Sequence, residues 1–371
     1  MIVEELKNNA ISTGIMAPMT EMEHEQVLFC QDKSTGLKAI IAIHNTVLGP
    51  ALGGTRMWPY KSEEEALIDV LRLSRGMTYK NSISGLNLGG GKAVIIGDSR
   101  TQKTEAMFRR FGQFINDLGG KYITAEDVGT SLKDMEYIHM STNYISGLPE
   151  YMGGSGNPSP VTAYGVYMGI KASAKKLYGN DSLAGKKVVV QGCGNVGQTL
   201  VSYLEKEGAE IFITDIYEDK VQETASKYKV QVVDSNNFYD MDMDIYAPCA
   251  LGATINDETI PRLKCAIVAG AANNQLKVED VHAQALKDKG ILYAPDFVIN
   301  AGGVINVYSE YIGNYNKERA MGLATNIYDT TLNIYALAEE KGITTLQAAK
   351  KLAEKRIEDM ANLKKPLYIH R

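Results

Sequence analysis

Apolar and polar positions along the chain follow two alternating periods. Strand-like, largely apolar runs predict strands at Leu37–Ile43, Lys92–Ile96 and Lys121–Thr124, and the polar helical stretches between them predict helices over Glu63–Met77 and Lys103–Leu118. Strand and helix in alternation make this half an α/β domain. Gly147–Pro160, rich in Gly, Pro, Ser and Asn, reads as a linker, and a helix follows over Val161–Tyr178. From Lys186 the order becomes short strand, glycine turn, helix, strand, helix, with further strands predicted at Ile245–Ala247, Ala266–Val268 and Phe297–Ile299. This rhythm predicts a doubly wound parallel sheet, whose ligands lie beyond the carboxyl ends of the strands. The C-terminal stretch reads as helical, Leu346–Asn362 especially, and ends in Lys364-Lys365-Pro366-Leu367-Tyr368. It either braces the first domain or makes a subunit contact.

Composition narrows the class. A chain of 371 residues, 44% hydrophobic, buries a sizeable core and suits two domains. The start, Met1-Ile2-Val3-Glu4-Glu5-Leu6-Lys7, lacks the features of a secretory signal, and no apolar run reaches membrane-spanning length. A cytoplasmic protein without a membrane partner is expected. The four cysteines (Cys30, Cys193, Cys249, Cys265) and the five histidines show no zinc-like spacing, so core thiols and no metal are expected. His44, after a strand-like run, reads as a structural or surface histidine, with a buried functional role as the alternative. A formal net charge of -5 argues against nucleic acid as a partner.

Candidate chemistry is concentrated in two places. Lys187-Val188-Val189-Val190 runs into Gly192-Cys193-Gly194-Asn195-Val196-Gly197, and a helix follows over Gln198–Glu207. Gly192 permits a tight turn, Gly194 lets the backbone approach a pyrophosphate, and Gly197 lets helix and strand pack closely. The diphosphate then meets a helix N-terminus, through Asn195, Val196 and their neighbours. The next strand, Glu210–Thr214, ends at Asp215, about twenty residues beyond the first glycine, where a carboxylate accepts from the adenosine ribose and repels a 2′-phosphate. NAD is expected rather than NADP. Downstream, Ala247-Pro248-Cys249-Ala250 and Ala269–Asn274 each follow a strand; Ala250 is small enough for close approach of the nicotinamide riboside. Asn273 or Asn274 bonds its ribose or the substrate, or else both serve only turn geometry.

The second place is the first half. Lys80 ends a basic helix-like segment, and Gly89-Gly90-Gly91-Lys92 opens onto the strand Ala93–Ile96. Two close ammonium groups lower each other's pKa, so one lysine is expected to hold a substrate carboxylate while the other does proton chemistry. Asp127, after the strand-like Tyr122–Thr124, is a candidate for proton transfer. The alternative is that Asp127 or Thr130 caps the next helix.

With these motifs in order, the chain resembles the glutamate, leucine, phenylalanine and valine dehydrogenase family, the leucine-acting branch most of all. The likeness spans Gly49–Arg56, Gly76–Asn81, Gly85–Lys92, Tyr122–Thr130, Pro158–Gly165 and Asn300–Asn306. It implies an N-terminal α/β substrate and oligomerisation domain over 1–148 and a Rossmann-type NAD-binding domain over 149–340. A C-terminal helical segment over 341–371 packs back on the first domain.

The resemblance also implies roles. Lys92 polarises the new carbonyl or activates water, Lys80 pairs with the α-carboxylate, and Asp127 shuttles protons to and from the amino group. Leu52, Gly53, Ala125, Val304 and Val307 form an uncharged side-chain pocket, Asn274 lies on the substrate side, and Thr162 and Asn300 hold the nicotinamide or its ribose. The implied reaction is oxidative deamination of leucine, isoleucine or valine to a 2-oxo acid and ammonium, in a homo-oligomer, typically an octamer, that closes a cleft between its domains. Val307-Tyr308-Ser309-Glu310-Tyr311 departs from the leucine branch, which carries a smaller residue after the valine, and leaves valine, phenylalanine or tryptophan specificity as alternatives. A non-catalytic NAD-binding protein is the rival from another class.

Overall fold

A computed structural model describes residues 16–363. Met1–Lys7 and Lys364–Tyr368, on which part of the sequence reading falls, lie outside the described residues. The described chain divides into two units, residues 16–78 with 88–145, and residues 79–87 with 146–363.

The first unit runs α1 (Met16–Glu21), β1 (Gln26–Asp32), β2 (Leu37–Asn45), β3 (Ala51–Leu52), β4 (Thr55–Trp58), α2 (Glu63–Ile83), β5 (Gly89–Ile96), α3 (Glu105–Asp117), β6 (Tyr122–Ile123) and α4 (Leu132–His139). Its six-stranded sheet has the order β1-β2-β5-β3-β6, with β4 also on β5. β2 is buried on both faces from Ala39 to His44, which explains its unbroken apolar run. On one face Ala66, Leu67, Val70 and Leu71 of α2 pack against Ile40, Ala42 and Val94. β5 changes partner along its length: β3 takes Gly89 and Gly90, β4 takes Ala93 to Ile96, and Gly91 and Lys92 fall at the break.

The second unit continues with α5 (Ser159–Tyr178), β7 (Lys187–Gln191), α6 (Asn195–Lys206), β8 (Glu210–Thr214), α7 (Glu218–Lys227), β9 (Gln231–Val232), β10 (Ile245–Pro248), β11 (Ile267–Val268), α8 (Glu279–Asp288), β12 (Leu292–Tyr293), α9 (Asp296–Ile299), α10 (Gly302–Tyr311), α11 (Lys317–Thr325), α12 (Ile327–Lys341) and α13 (Thr345–Ala361). The sheet order is β12-β11-β10-β7-β8-β9, every pair parallel. The chain therefore winds outward from β7 in one direction and from β10 in the other. The switch point between those strands is where such sheets bind a dinucleotide.

Two expectations change. Phe297–Ile299 is helix, not strand: three apolar residues carry no period of their own. Asp296 Oδ1 accepts the Phe297 amide at 2.8 Å and starts a helical turn after Pro295. The Gly147–Pro160 segment, expected as a linker, follows the unit boundary at Ile145 and is tied down, because the Glu310 carboxylate accepts the amides of Gly147, Leu148 and Ser155 at 2.9, 3.2 and 2.7 Å. Residues 79–87, expected in the N-terminal domain, cluster with the second unit. The cause is α13: Arg356 donates to the carbonyls of Ser82 and Leu86 at 3.1 and 2.8 Å, ending α2 with a cation, while Ser82 Oγ donates to Ala353 at 2.7 Å. Among the described residues no helix is long and apolar enough to cross a membrane, and all four cysteines are unpaired.

His44 is buried and structural. Its Nε2 donates to the Met22 carbonyl at 3.0 Å, and its Nδ1 accepts from Thr78 Oγ1 at 2.8 Å. The ring of His24 meets it edge-on at 4.8 Å. Burial pulls His24 down to about 4 and, with the neighbouring His24 charge, His44 down to about 3. Both imidazoles are neutral when folded and take a proton more readily when unfolded. Their contribution to stability is therefore full above pH ~6.5 and is lost as pH falls through 4 and 3. In denaturant titrations between pH 6.5 and 4, His24→Gln/His44→Gln is expected to lose stability less steeply than the parent. Identical slopes would exclude the pair as an acid-sensitive element.

Candidate active site

The first constellation is built at the break in β5. The chain crossing from β3 to β4 there is Gly53-Gly54. A Cβ on Gly54 would lie 2.5 Å from the Glu126 carbonyl oxygen and 2.9 Å from Asp127 Cβ, and one on Gly53 would lie 1.8 Å from the Gly91 oxygen. Without side chains at either position the 126–127 backbone closes onto the break. Asp127 Oδ2 then reaches Lys92 Nζ at 3.0 Å, and Lys92 is only 5% exposed. The sequence reading paired Lys92 with Lys80; the charged partner the structure gives it is Asp127. Arg56, on β4, places Nε 3.0 Å from the same Oδ2.

Asp127 does not cap α4; Ser131 does, in a reciprocal capping box with Asp134. Thr130 instead ties the turn, accepting the Asp127 amide at 3.0 Å and donating to the Thr55 carbonyl at 2.9 Å. Burial alone would push the Asp127 carboxyl up, but the Lys92 and Arg56 charges outweigh it and hold the group at about 2. The arrangement is an ionised proton acceptor beside a buried cation able to stabilise charge developing on oxygen.

The second constellation lies in the other unit. Lys80, in the last turn of α2, donates to Asn273 Oδ1 at 3.4 Å. Asn300 Nδ2 donates to the same oxygen at 2.8 Å and to the Ala271 carbonyl at 3.1 Å. Asn300 is buried, yet among the described residues its Oδ1 has no hydrogen-bond partner. A buried acceptor without a donor costs about 1–3 kcal/mol, and a ligand N–H or hydroxyl would supply one. Asn274 has φ of +52°, which asparagine tolerates, so turn geometry already explains that residue.

The fingerprint glycines form the third. Gly192 has φ of +113°, and a Cβ on it would meet the Ala250 amide nitrogen at 2.8 Å, so the turn after β7 lies against the end of β10 at the switch point. Gly197 is required because a Cβ there would lie 1.9 Å from the Gly192 carbonyl oxygen. Gly194, the N-cap of α6, faces open space and no side chain caps the helix, which leaves the amides around Asn195 and Val196 to an anion. Asp215 Oδ2 accepts the Cys193 amide at 2.7 Å and Oδ1 accepts from Tyr217 at 3.0 Å, fixing a carboxylate at the end of β8 with lone pairs to spare. These donors and acceptors fit a dinucleotide.

Comparison with known proteins agrees with this geometry. The dimerisation-domain model of Glu/Leu/Phe/Val dehydrogenases matches residues 24–144, and the Glutamate/Leucine/Phenylalanine/Valine dehydrogenase model matches 153–216 and 212–364. The chain belongs to the glutamate/leucine/phenylalanine/valine dehydrogenase family. It is 57% identical to a leucine dehydrogenase of Geobacillus stearothermophilus, covering 94% of each chain. To a phenylalanine dehydrogenase of Caldalkalibacillus thermarum it is 50% identical, covering 92% of this chain and 93% of the relative. The crystal structure of an L-tryptophan dehydrogenase from Nostoc punctiforme matches with a TM-score of 0.84 at 47% identity, over 94% of this chain and all of that one.

For this family member the remaining candidates fall as follows. Leu52 and Ala125 are buried beside the β3–β6 pairing, with the Gly53 amide on the Ile123 carbonyl at 3.1 Å. Val304 and Val307 lie one turn apart on α10. Thr162, in the first turn of α5, donates to the Pro158 carbonyl at 3.0 Å and would sit 3.2 Å from a Cβ on Gly303. Sequence reasoning passed over Arg56 and over Asp69, whose Oδ2 Arg56 Nη1 reaches at 3.0 Å. Arg56 stood inside a quoted motif, but a strand arginine carries no sequence sign of two carboxylate partners. Gly54→Ala is expected to displace Asp127 and cut kcat about 100-fold, a cost typical of ångström-scale misplacement, while dinucleotide binding is kept. Parental kcat in that variant would refute the glycine-gated approach.

Proposed function

We propose that the protein catalyses the reversible, NAD-dependent oxidative deamination of branched-chain L-amino acids, leucine with isoleucine and valine, to 2-oxo acids and ammonium. The Lys92–Asp127 pair carries the reading, since a buried ammonium against an ionised carboxylate supplies both the charge stabilisation and the proton acceptor that the reaction needs. The 57% identity to a leucine dehydrogenase supports it. NAD, when bound, accepts the hydride from the substrate α-carbon.

The side chains do the rest. Lys80 exchanges Asn273 for the substrate α-carboxylate. Asp127 takes a proton from the substrate ammonium and returns protons to the departing amine. Held ionised between two cations, it stands ready as an acceptor and gives the proton up readily, rather than serving as a standing acid. Lys92 polarises the carbonyl oxygen and orients water. Asp215 receives the adenosine ribose, Gly192 to Gly197 the diphosphate, and Thr162, Ala250, Asn273 and Asn300 the nicotinamide end.

Leu52, Gly53 and Ala125 in one unit and Val304 and Val307 in the other are uncharged, so glutamate's second carboxylate finds no partner in either set. A methylene more or less is worth only ~1–3 kcal/mol, so all three branched substrates react. The dimerisation-domain match supports assembly, which we place at a homo-octamer, and the unpaired cysteines are in keeping with a cytoplasmic setting.

The test is NADH formation at alkaline pH with L-leucine, L-isoleucine, L-valine, L-phenylalanine, L-tryptophan and L-glutamate. A branched aliphatic substrate should be fastest and Lys92→Ala should lose nearly all turnover while still binding NADH. The relatives acting on phenylalanine and tryptophan make an aromatic preference the second reading. Silence on all six with NADH bound would overturn catalysis altogether.

A further inference from the structure

The Lys92–Asp127 pair is the inner end of a longer chain of charges. Arg56 Nε reaches Asp127 Oδ2 at 3.0 Å, and Arg56 Nη1 reaches Asp69 Oδ2 at 3.0 Å. That oxygen of Asp69 also accepts the Tyr60 hydroxyl at 2.6 Å. Four segments contribute: β4 supplies Arg56, the turn after it Tyr60, α2 Asp69, and the turn after β6 Asp127. All three charged side chains are about three-quarters buried, so water does not screen their contacts as it does on an open surface.

We propose that Arg56 is a positioning residue for the reaction: it locks the Asp127 carboxylate against Lys92, and Asp69, fixed by Tyr60, locks Arg56 in turn. The proposal rests on the proton-acceptor role given to Asp127 above. An arginine is required because its planar fork addresses two carboxylates in two directions, whereas a lysine presents a single point charge. The groups facing Asp127 are Lys92 from β5, Arg56 from β4, and Glu126 and Tyr122 from its own segment, with Asp69 of α2 acting through Arg56. Burial and the negative neighbours raise the proton affinity of Asp127, so Arg56 and Lys92 share the work against them. During turnover the proton moves from the substrate nitrogen to Asp127 and back, while Arg56 stays charged throughout.

The far side of the chain is reachable. Arg56, Tyr60 and Asp69 line a cavity of about 430 Å³ together with Trp58, Ile68 and Arg72. A small guanidinium ion added to an Arg56→Ala protein can enter it and stand where the side chain stood.

The experiment uses the full chain with Arg56→Ala, Arg56→Lys and Asp69→Asn. Arg56→Ala is expected to lower kcat about tenfold or more, with a smaller change in KM, because the Asp127 carboxylate is no longer held in register with Lys92. Guanidinium or ethylguanidinium at millimolar levels should restore part of the loss in a saturable way without activating the parent. Arg56→Lys should fall between, and Asp69→Asn should show a milder form of the same loss. Independently of turnover, infrared titration of the protonated carboxyl band, with Asp127→Asn as blank, should move Asp127 upward by at least about one unit in Arg56→Ala. A carboxyl shift without turnover on any amino acid would fault the proposed reaction and leave this role standing. Normal turnover elsewhere with no carboxyl shift and no rescue would overturn Arg56 as a positioning residue.

Discussion

Everything chemical in the first unit depends on one close approach: the backbone at Glu126–Asp127 lies against Gly54, beside Gly53 on Gly91, where β5 changes partner. Gly91 and Lys92 have no ladder partner on that side of β5, and of the two Lys92 carries a side chain. A buried ion pair of this kind is poor value as a stabiliser. Desolvating two charges costs several kcal/mol each, and breaking one partner typically costs about 3–5 kcal/mol, so such a pair is better explained by what it does than by what it holds. Here it yields a carboxylate kept ionised while largely shielded from water, with Lys92 and Arg56 sharing its Oδ2.

The second unit answers a different requirement, that of holding a long anionic cofactor with neutral backbone. Its six parallel strands place β7 and β10 side by side at the switch point, and the φ of Gly192 turns the chain there. The uncapped start of α6 leaves amides for the diphosphate, and Asp215 is anchored by two backbone donors at the end of β8. Lys80, Asn273 and Asn300 form a hydrogen-bonded group in which, among the described residues, the buried Asn300 Oδ1 has no hydrogen-bond partner. That orphaned acceptor is a physical reason to expect a ligand in this unit.

What was legible in the sequence was whatever local pattern determines. The parallel sheet followed from strand and helix rhythm, the cradle from glycines set between β7 and α6, and the two-domain α/β class from the change of rhythm at the linker. Phe297–Ile299 was misread because three apolar residues suit either a strand or a helical turn, and the Asp296 side chain decides between them. The anchoring of the linker was not legible because its three amide bonds go to Glu310, more than a hundred and fifty residues away. Arg56 and Asp69 escaped for the same reason. Their partnership is tertiary, and nothing in Thr55-Arg56-Met57-Trp58 announces that a helix residue and a distant loop will meet its two faces. Lys92 and Asp127 were both named as candidates, but their contact with each other was not foreseen.

The central claim is that Lys92 and Asp127 act as one unit made by that approach. A double-mutant cycle on amino-acid oxidation measures it most directly, using Lys92→Gln, Asp127→Asn and the double variant under single-turnover conditions. The account predicts that each single change removes most of the rate and that the double change is little worse than the worse single one, because either loss already dismantles the pair. Losses that multiply would show two residues working independently and would contradict it.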